Sequence, residues 1–265
     1  MSKKCAVVIP IYSKPSDLLI EERKLIDQVL NIFIERDVFL LLPNKLNGLF
    51  DSGNYYCIYA EDCFFKNKLT YSKLLCSRFF YSTFSEFEFI QIVQLDCWVF
   101  EDRLDEFMSM DFDYFGAPWM KNGFTGKPKK ELWKVGNGGF SLRKVPTFLS
   151  IIEKIDQSEK GEKPVFRDLK NSIFNHFRKK GFRNNLRHYI KKPPGEDIFW
   201  THYIPQIFSD KEFKIADPIT GSNYSFEVYP RFLFEEVTNG KLPMGCHAWE
   251  SHDPSFWKKY IRNKS

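Results

Sequence analysis

No run in this chain approaches the roughly twenty consecutive apolar residues that a membrane-crossing helix needs, which argues against a helical membrane protein. The first apolar run, Ala6 to Ile11, is short, is broken by Pro10 and lacks a small-residue cleavage pattern. It therefore predicts a first β-strand rather than a signal peptide. None of the six cysteines forms a CxxC pair, so nothing argues for zinc, and the scattered thiols read as reduced and buried in a cytoplasmic protein. No segment repeats, which sets aside solenoids and propellers. No GK[ST] follows a glycine run, so a Walker phosphate loop is excluded, and no glycine fingerprint opens the first strand–helix unit as a dinucleotide site requires. Acid is nearly absent from one stretch: between Arg167 and Lys192 nine Lys/Arg face only Asp168, giving +8 against −3 for the remainder of a chain whose net charge is +5.

What is present suits one large α/β domain. The 265 residues, 43% of them hydrophobic, are enough to bury a sizeable core. Cys5–Ile11, Val38–Leu42, Tyr55–Tyr59 and Phe89–Leu95 read as buried strands, with helices predicted over Leu18–Phe33 and about Thr70–Phe84. Strands alternating with helices imply parallel βαβ units, whose ligands sit beyond the carboxyl ends of the strands. Tyr12, Ser13, Glu61, Asp62 and Asp96 fall at those ends.

Several stretches carry candidate chemistry. "FIQIVQLDCWVF" delivers a lone carboxylate, Asp96, at the end of an apolar strand, either as a turn cap or as a ligand group. "WKVGNGGFSLRK" removes side chains at Gly136, Gly138 and Gly139, next to loops carrying Trp119 and Trp133. A glycine floor between aromatic loops suits a hexose, whose apolar face lies on a ring while its hydroxyls reach backbone groups. "PPGEDIFW" starts a predicted helix with Glu196 and Asp197, one able to cap while the other projects as a general base. "GCHAW" brings in His247 as a structural residue or a contact to metal or phosphate. The basic stretch interleaves charge with aromatics, as a solvated face or an anionic-membrane contact would; with no nucleic-acid motif, that partner is set aside.

In order and spacing, Asp96, "YFGAPW", "GNGGFSLRK", "EDIFW", "YSFEVYP" and "GCHAW" resemble a bacterial family of glycosyltransferase-like proteins originally catalogued as a domain of unknown function. The resemblance runs from Val7 to Trp249. It implies a GT-A-like fold, a Rossmann-like, mostly parallel sheet flanked by helices, as a single domain over residues 1–265 with a basic helical insertion at about 160–192. It also implies transfer of a hexose from a nucleoside diphosphate sugar, UDP-linked, to a hydroxyl of a cell-surface or lipid-linked glycan, with inversion favoured and retention the alternative. Pro10, Ile11, Tyr12 and Ser13 would hold the nucleotide, Asp96 would stand in the metal motif with His247, and Gly138 and Gly139 would floor the sugar. Glu196 or Asp197 would take the acceptor proton, and Trp119 and Trp133 would meet the acceptor. One departure concerns the cofactor: no second aspartate stands two residues from Asp96, which weakens the case for Mn²⁺ or Mg²⁺. Without an ion, the leaving diphosphate would need cations such as Arg78, Lys134 or Arg143. The rival readings are a non-catalytic sugar-binding module and a nucleotidyltransferase.

Overall fold

The computed structural model describes residues 3–50, 53–121, 130–165 and 184–261. Its centre is a six-stranded sheet. β1 (Lys3–Pro10), β2 (Asp37–Pro43), β3 (Tyr56–Ala60) and β4 (Phe87–Val93) are parallel, in the order β3-β2-β1-β4. β9 (Phe140–Lys144) continues the sheet antiparallel to β4, and β6 (Tyr114–Phe115) closes it antiparallel to β9. The expected mixed, mostly parallel α/β architecture is thus present. β1 lies between β2 and β4 with both faces covered, so Ala6, Val7, Val8 and Ile9 are all buried and the strand reads as one continuous apolar run.

Each face of the sheet carries its own core. On one side α1 (Ile20–Ile32) packs Leu25 and Val29 against the strands, and Phe33 just beyond it. On the other lie α2 (Lys68–Leu75), α3 (Arg78–Thr83) and α4 (Val145–Gln157). The single helix expected over about Thr70–Phe84 is in fact two. Ser77 breaks it by accepting from the Phe80 N–H at 3.2 Å while its hydroxyl donates to the Leu74 carbonyl at 2.6 Å, so one serine caps the second helix and closes the first.

The second half builds smaller sheets around this frame. β5 (Cys97–Val99) pairs antiparallel with β11 (Gly245–His247), which pairs in turn with β10 (Ser225–Phe226). β7 (Pro118–Met120) and β8 (Leu132–Val135) form a two-stranded ribbon. The helix predicted at "EDIFWTHYIPQIF" forms as Glu196–Ile198, continues through a π turn at Phe199–Tyr203 and ends in a 3₁₀ turn at Ile204–Gln206, where Pro205 removes a backbone donor. Of the expected basic insertion, residues 166–183 lie outside the described residues, and with them most of the proposed membrane contact; Leu186–Tyr189 is a short helix capped by Asn185. Among the described residues no helix is long and apolar enough to cross a membrane.

Trp200 connects the Glu196 helix to this frame. Its ring is fully buried and its indole N–H donates to the Leu75 carbonyl at 3.2 Å, which also accepts from the Tyr81 hydroxyl at 2.9 Å. Trp200→Ala should therefore cost about 3–5 kcal/mol of stability, read from the urea unfolding midpoint. A cost below about 1 kcal/mol would show that the helix is held some other way.

Candidate active site

A cavity of about 470 Å³ opens at the carboxyl edge of the parallel strands. Its wall includes Tyr12, which leaves β1, Asp96 on the β4–β5 turn, and Asn137, Gly138 and Gly139, which join β8 to β9. Glu196, Asp197, Glu227 and His247 complete it from the C-terminal third. Segments spread along the chain from Tyr12 to His247 thus meet at the edge of one sheet.

The protein's own side chains fill the space left by the three glycines. A Cβ on Gly138 would stand 1.6 Å from Glu196 Oε1, one on Gly139 2.2 Å from His247 Nε2, and one on Gly136 2.0 Å from the Trp119 ring. The hexose expected against this backbone is therefore not what the missing side chains make room for. Asn137 shapes the turn: it sits in the left-handed region at φ +64°, and its Oδ1 accepts from the Gly139 N–H at 2.9 Å. The Gly139 carbonyl accepts from the Gln94 N–H at 2.9 Å and from the Cys97 thiol at 3.3 Å, tying the floor to the Asp96 turn.

Arg143, on β9, is completely buried beneath the floor. It donates from Nη2 to Glu196 Oε1 at 2.9 Å, from Nη1 to the Tyr81 hydroxyl at 3.1 Å and from Nε to Ser141 Oγ at 3.0 Å. An arginine stays charged, so a carboxylate partner is what makes this burial tolerable. Burial pushes the Glu196 carboxyl up, to about 7; Arg143 opposes this and neighbouring Asp197 adds to it. Glu196 Oε2 and Asn137 Nδ2, both buried at the cavity, have no hydrogen-bond partner among the described residues. Asp197 is half-buried; one oxygen accepts from the Ile198 N–H at 2.8 Å, and burial raises its carboxyl above the ordinary range.

The opposite wall is built on His247. Its Nδ1 lies 3.1 Å from Glu227 Oε1, and its Nε2 lies 3.3 Å from both Asp96 Oδ1 and Gln94 Oε1. Burial works against the charged imidazole, but the hydrogen bonds to Asp96 and Glu227 prevail and push it up to about 9. Asp96 is held below the ordinary carboxyl value, because its bond to His247 outweighs its burial. Donor atoms of Asp96, Cys97 and His247 lie within 4.8 Å of one another. Cys97 makes a poor ligand, since its thiol donates to Gly139 and burial raises it well above the thiol range. Asp96 and the Nε2 side of His247 could together hold a divalent cation of the Mn²⁺ or Mg²⁺ kind, with Glu227 on Nδ1 orienting the imidazole from behind.

Of the residues expected at the site, Tyr12, Asp96, Gly138, Gly139, Glu196, Asp197 and His247 line one cavity. Pro10, Ile11 and Ser13 do not: Pro10 ends β1, and Ile11 is fully buried with its N–H on the Leu41 carbonyl. Arg78 is exposed on the first turn of α3 and lines neither described cavity. Trp119 and Trp133 stack on each other across the β7–β8 ribbon, 6.5 Å between centroids, away from the cavity wall. Arg143 is bound to Glu196, and Lys134 lies over the Trp133 ring, so neither is the wall cation; Lys68 is, at the first turn of α2 behind the Asn67–Thr70 cap. Lys68, Gln94 and Glu227 escaped the sequence reading. The only signal for Lys68 is the Asn-x-x-Thr cap placed just beyond the edge of β3.

Gly138→Ala should destabilise the protein by about 1–3 kcal/mol by driving Glu196 off Arg143, measured by urea unfolding. Glu196 also sets a pH dependence. Its folded-state value lies above that of the unfolded chain, so its contribution is greatest below about 4.5 and is lost as pH rises through about 7. The thermal midpoint should fall by several degrees over that window, and Glu196→Gln should flatten that part of the profile.

No curated protein sequence matches the chain. Among solved structures, it is similar to a glycosyltransferase involved in the glycosylation of the major capsid of PBCV-1, with 12% identity, a TM-score of 0.47 and 92% of each chain covered. It is also similar to mouse xyloside xylosyltransferase 1, with 11% identity, a TM-score of 0.46, and 92% of this chain and 96% of that one covered. A third is the glycosyltransferase GlyE of Streptococcus pneumoniae TIGR4, with 13% identity, a TM-score of 0.41, and 92% of this chain but 54% of that one covered. A family model matches residues 54–247, from the strand before the Lys68 helix to His247 itself, and the chain belongs to that family, described as a protein of unknown function (DUF5672).

Proposed function

We propose that the protein is a GT-A-like glycosyltransferase that moves a hexose from a nucleoside diphosphate sugar, UDP-linked, to a hydroxyl of a glycan acceptor, inverting the anomeric centre. The observation that supports this reading is the meeting of three groups in one cavity: the strand-end Asp96 with His247 and Glu227, the Asn137–Gly139 floor, and the Glu196–Asp197 pair. The aromatic group at the end of β1 suits a nucleotide base. Tyr12 meets Phe65 and Tyr71 edge to face, with centroids 5.9 and 5.8 Å apart, and all three rings line the cavity. Lys68 sits in the same wall, able to offset diphosphate charge.

The two acids take different parts. Glu196 is bound by Arg143 and fixes the start of its helix, whereas Asp197 faces the cavity half-buried. Asp197 accepts the acceptor's proton as that oxygen bonds to the anomeric carbon. The bond from that carbon to the diphosphate oxygen breaks, and the nucleoside diphosphate leaves with the electron pair. A divalent cation held by Asp96 and His247, whose imidazole Glu227 orients through Nδ1, would neutralise charge on the departing diphosphate.

Asp197→Asn should lower transfer on the order of 100-fold or more while donor binding persists, because base removal leaves the diphosphate contacts intact. Donor binding is read as thermal stabilisation across a panel of nucleotide sugars, with and without Mn²⁺. Saturation at about 100 times Kd corresponds to about 2.7 kcal/mol. Stabilisation by a nucleotide sugar without turnover in the wild type would instead identify a binding module. The absence of stabilisation by every nucleotide sugar would remove the transferase reading.

A further inference from the structure

A second cavity, of about 430 Å³, adjoins the first, and Asp96 belongs to both walls. Its volume falls within the roughly 300–1,000 Å³ usual for small-ligand sites. Two chain segments divide the cavities. Gln94 on the β4–β5 turn lines the first while Leu95 on the same turn and Trp98 in β5 line the second; His247 at the end of β11 lines the first and Trp249, just beyond it, the second. The segments are neighbours because Cys97 pairs with His247 across β5 and β11. Between His247 and Trp249, Ala248 is held in the left-handed region at φ +48°, a strained conformation for a residue with a Cβ and one that persists only where surrounding structure imposes it.

The lining of this second cavity is chemically distinct. Two indoles, Trp98 and Trp249, share it with charged side chains, among them Glu250 and Lys258. The Trp98 ring is 8% exposed, and its Nε1 is buried with no hydrogen-bond partner among the described residues. Such a donor carries an unmet desolvation cost. Lys24 and Lys258 are the cations of this wall, but no ring cluster like that of Tyr12, Phe65 and Tyr71 accompanies them to take a nucleotide base. Indole faces beside carboxylates and an ammonium group instead suit a ring with one apolar face and a rim of hydroxyls.

We infer that this second cavity binds a pyranose of the acceptor glycan, seated against Trp249 and Trp98, with its reacting end directed past Asp96 into the first cavity. The inference rests on the transferase reading for its catalytic meaning. Binding of the sugar itself does not depend on that reading.

The test uses the full chain and two probes. Uridine diphosphate reports on the first cavity through thermal stabilisation, and a panel of methyl glycosides of glucose, galactose, mannose and N-acetylglucosamine reports on the second through saturation-transfer NMR. At least one glycoside should bind; Trp249→Ala should weaken it about tenfold or more, Trp249→Phe should hold it within about threefold, and neither should change the nucleotide response. Lys258→Ala, on an exposed helix position, should weaken the same glycoside about threefold and decides the matter if Trp249→Ala does not fold. Nucleotide binding without any glycoside binding, or glycoside binding indifferent to the Trp249 and Lys258 changes, overturns the second site and leaves the transferase reading standing. Glycoside binding that needs Trp249, without uridine diphosphate binding, supports the sugar site and removes the UDP-linked donor. Loss of both overturns both.

Discussion

The site depends on one buried contact, the Arg143–Glu196 ion pair. An arginine with no exposed surface must have its charge met from within, and here a single carboxylate oxygen, a tyrosine hydroxyl and a serine hydroxyl meet it. This requirement fixes the beginning of the helix that bears Asp197 and clears the space at Gly138. It also holds β9 in register with α3, since Tyr81 reaches both the guanidinium and the Leu75 carbonyl. Positioning therefore travels from the centre of the sheet outward to the cavity through hydrogen bonds whose partners are nearly all buried, where they are least screened by solvent.

The second organising element is the His247 wall. A histidine between two carboxylates is a compact device for holding Asp96 and Glu227 apart while satisfying both. The short three-stranded sheet of β5, β11 and β10 brings these groups to one edge: Asp96 leads into β5, Glu227 follows β10 and His247 ends β11.

How much could be read in advance varied from segment to segment, for physical reasons. β1 and the Val38–Leu42 part of β2 show as unbroken apolar runs, β4 is interrupted only by Glu88 and the buried Gln91, and the acid after the fourth strand was visible because a hydrophobic segment ends on it. The break at Ser77 was not visible, since neither glycine nor proline marks it and a serine can sit mid-helix or cap. The glycines at 136, 138 and 139 correctly announced a close approach but not what approached, because Trp119, Glu196 and His247 come from distant parts of the chain. Arg143 looked available as a surface cation, and only the packing of Tyr114 and Tyr81 around it reveals that it is enclosed. Lys68 and Glu227 lie beside short elements that carry no periodic signal, so their place in the wall depends on tertiary geometry alone.

The strand order has a consequence for where this chain can be divided. The stretch shared with the family begins at residue 54, yet β1 and β2 precede it, and β1 is inserted between β2 and β4 at the middle of the sheet. A fragment starting at the shared boundary would leave the inner edge of β4 without its hydrogen-bonding neighbour and β3 without β2, two open edges prone to pairing with other chains. The most recognisable portion of the molecule is therefore not an autonomous folding unit, and its first fifty residues supply the spine on which the rest assembles.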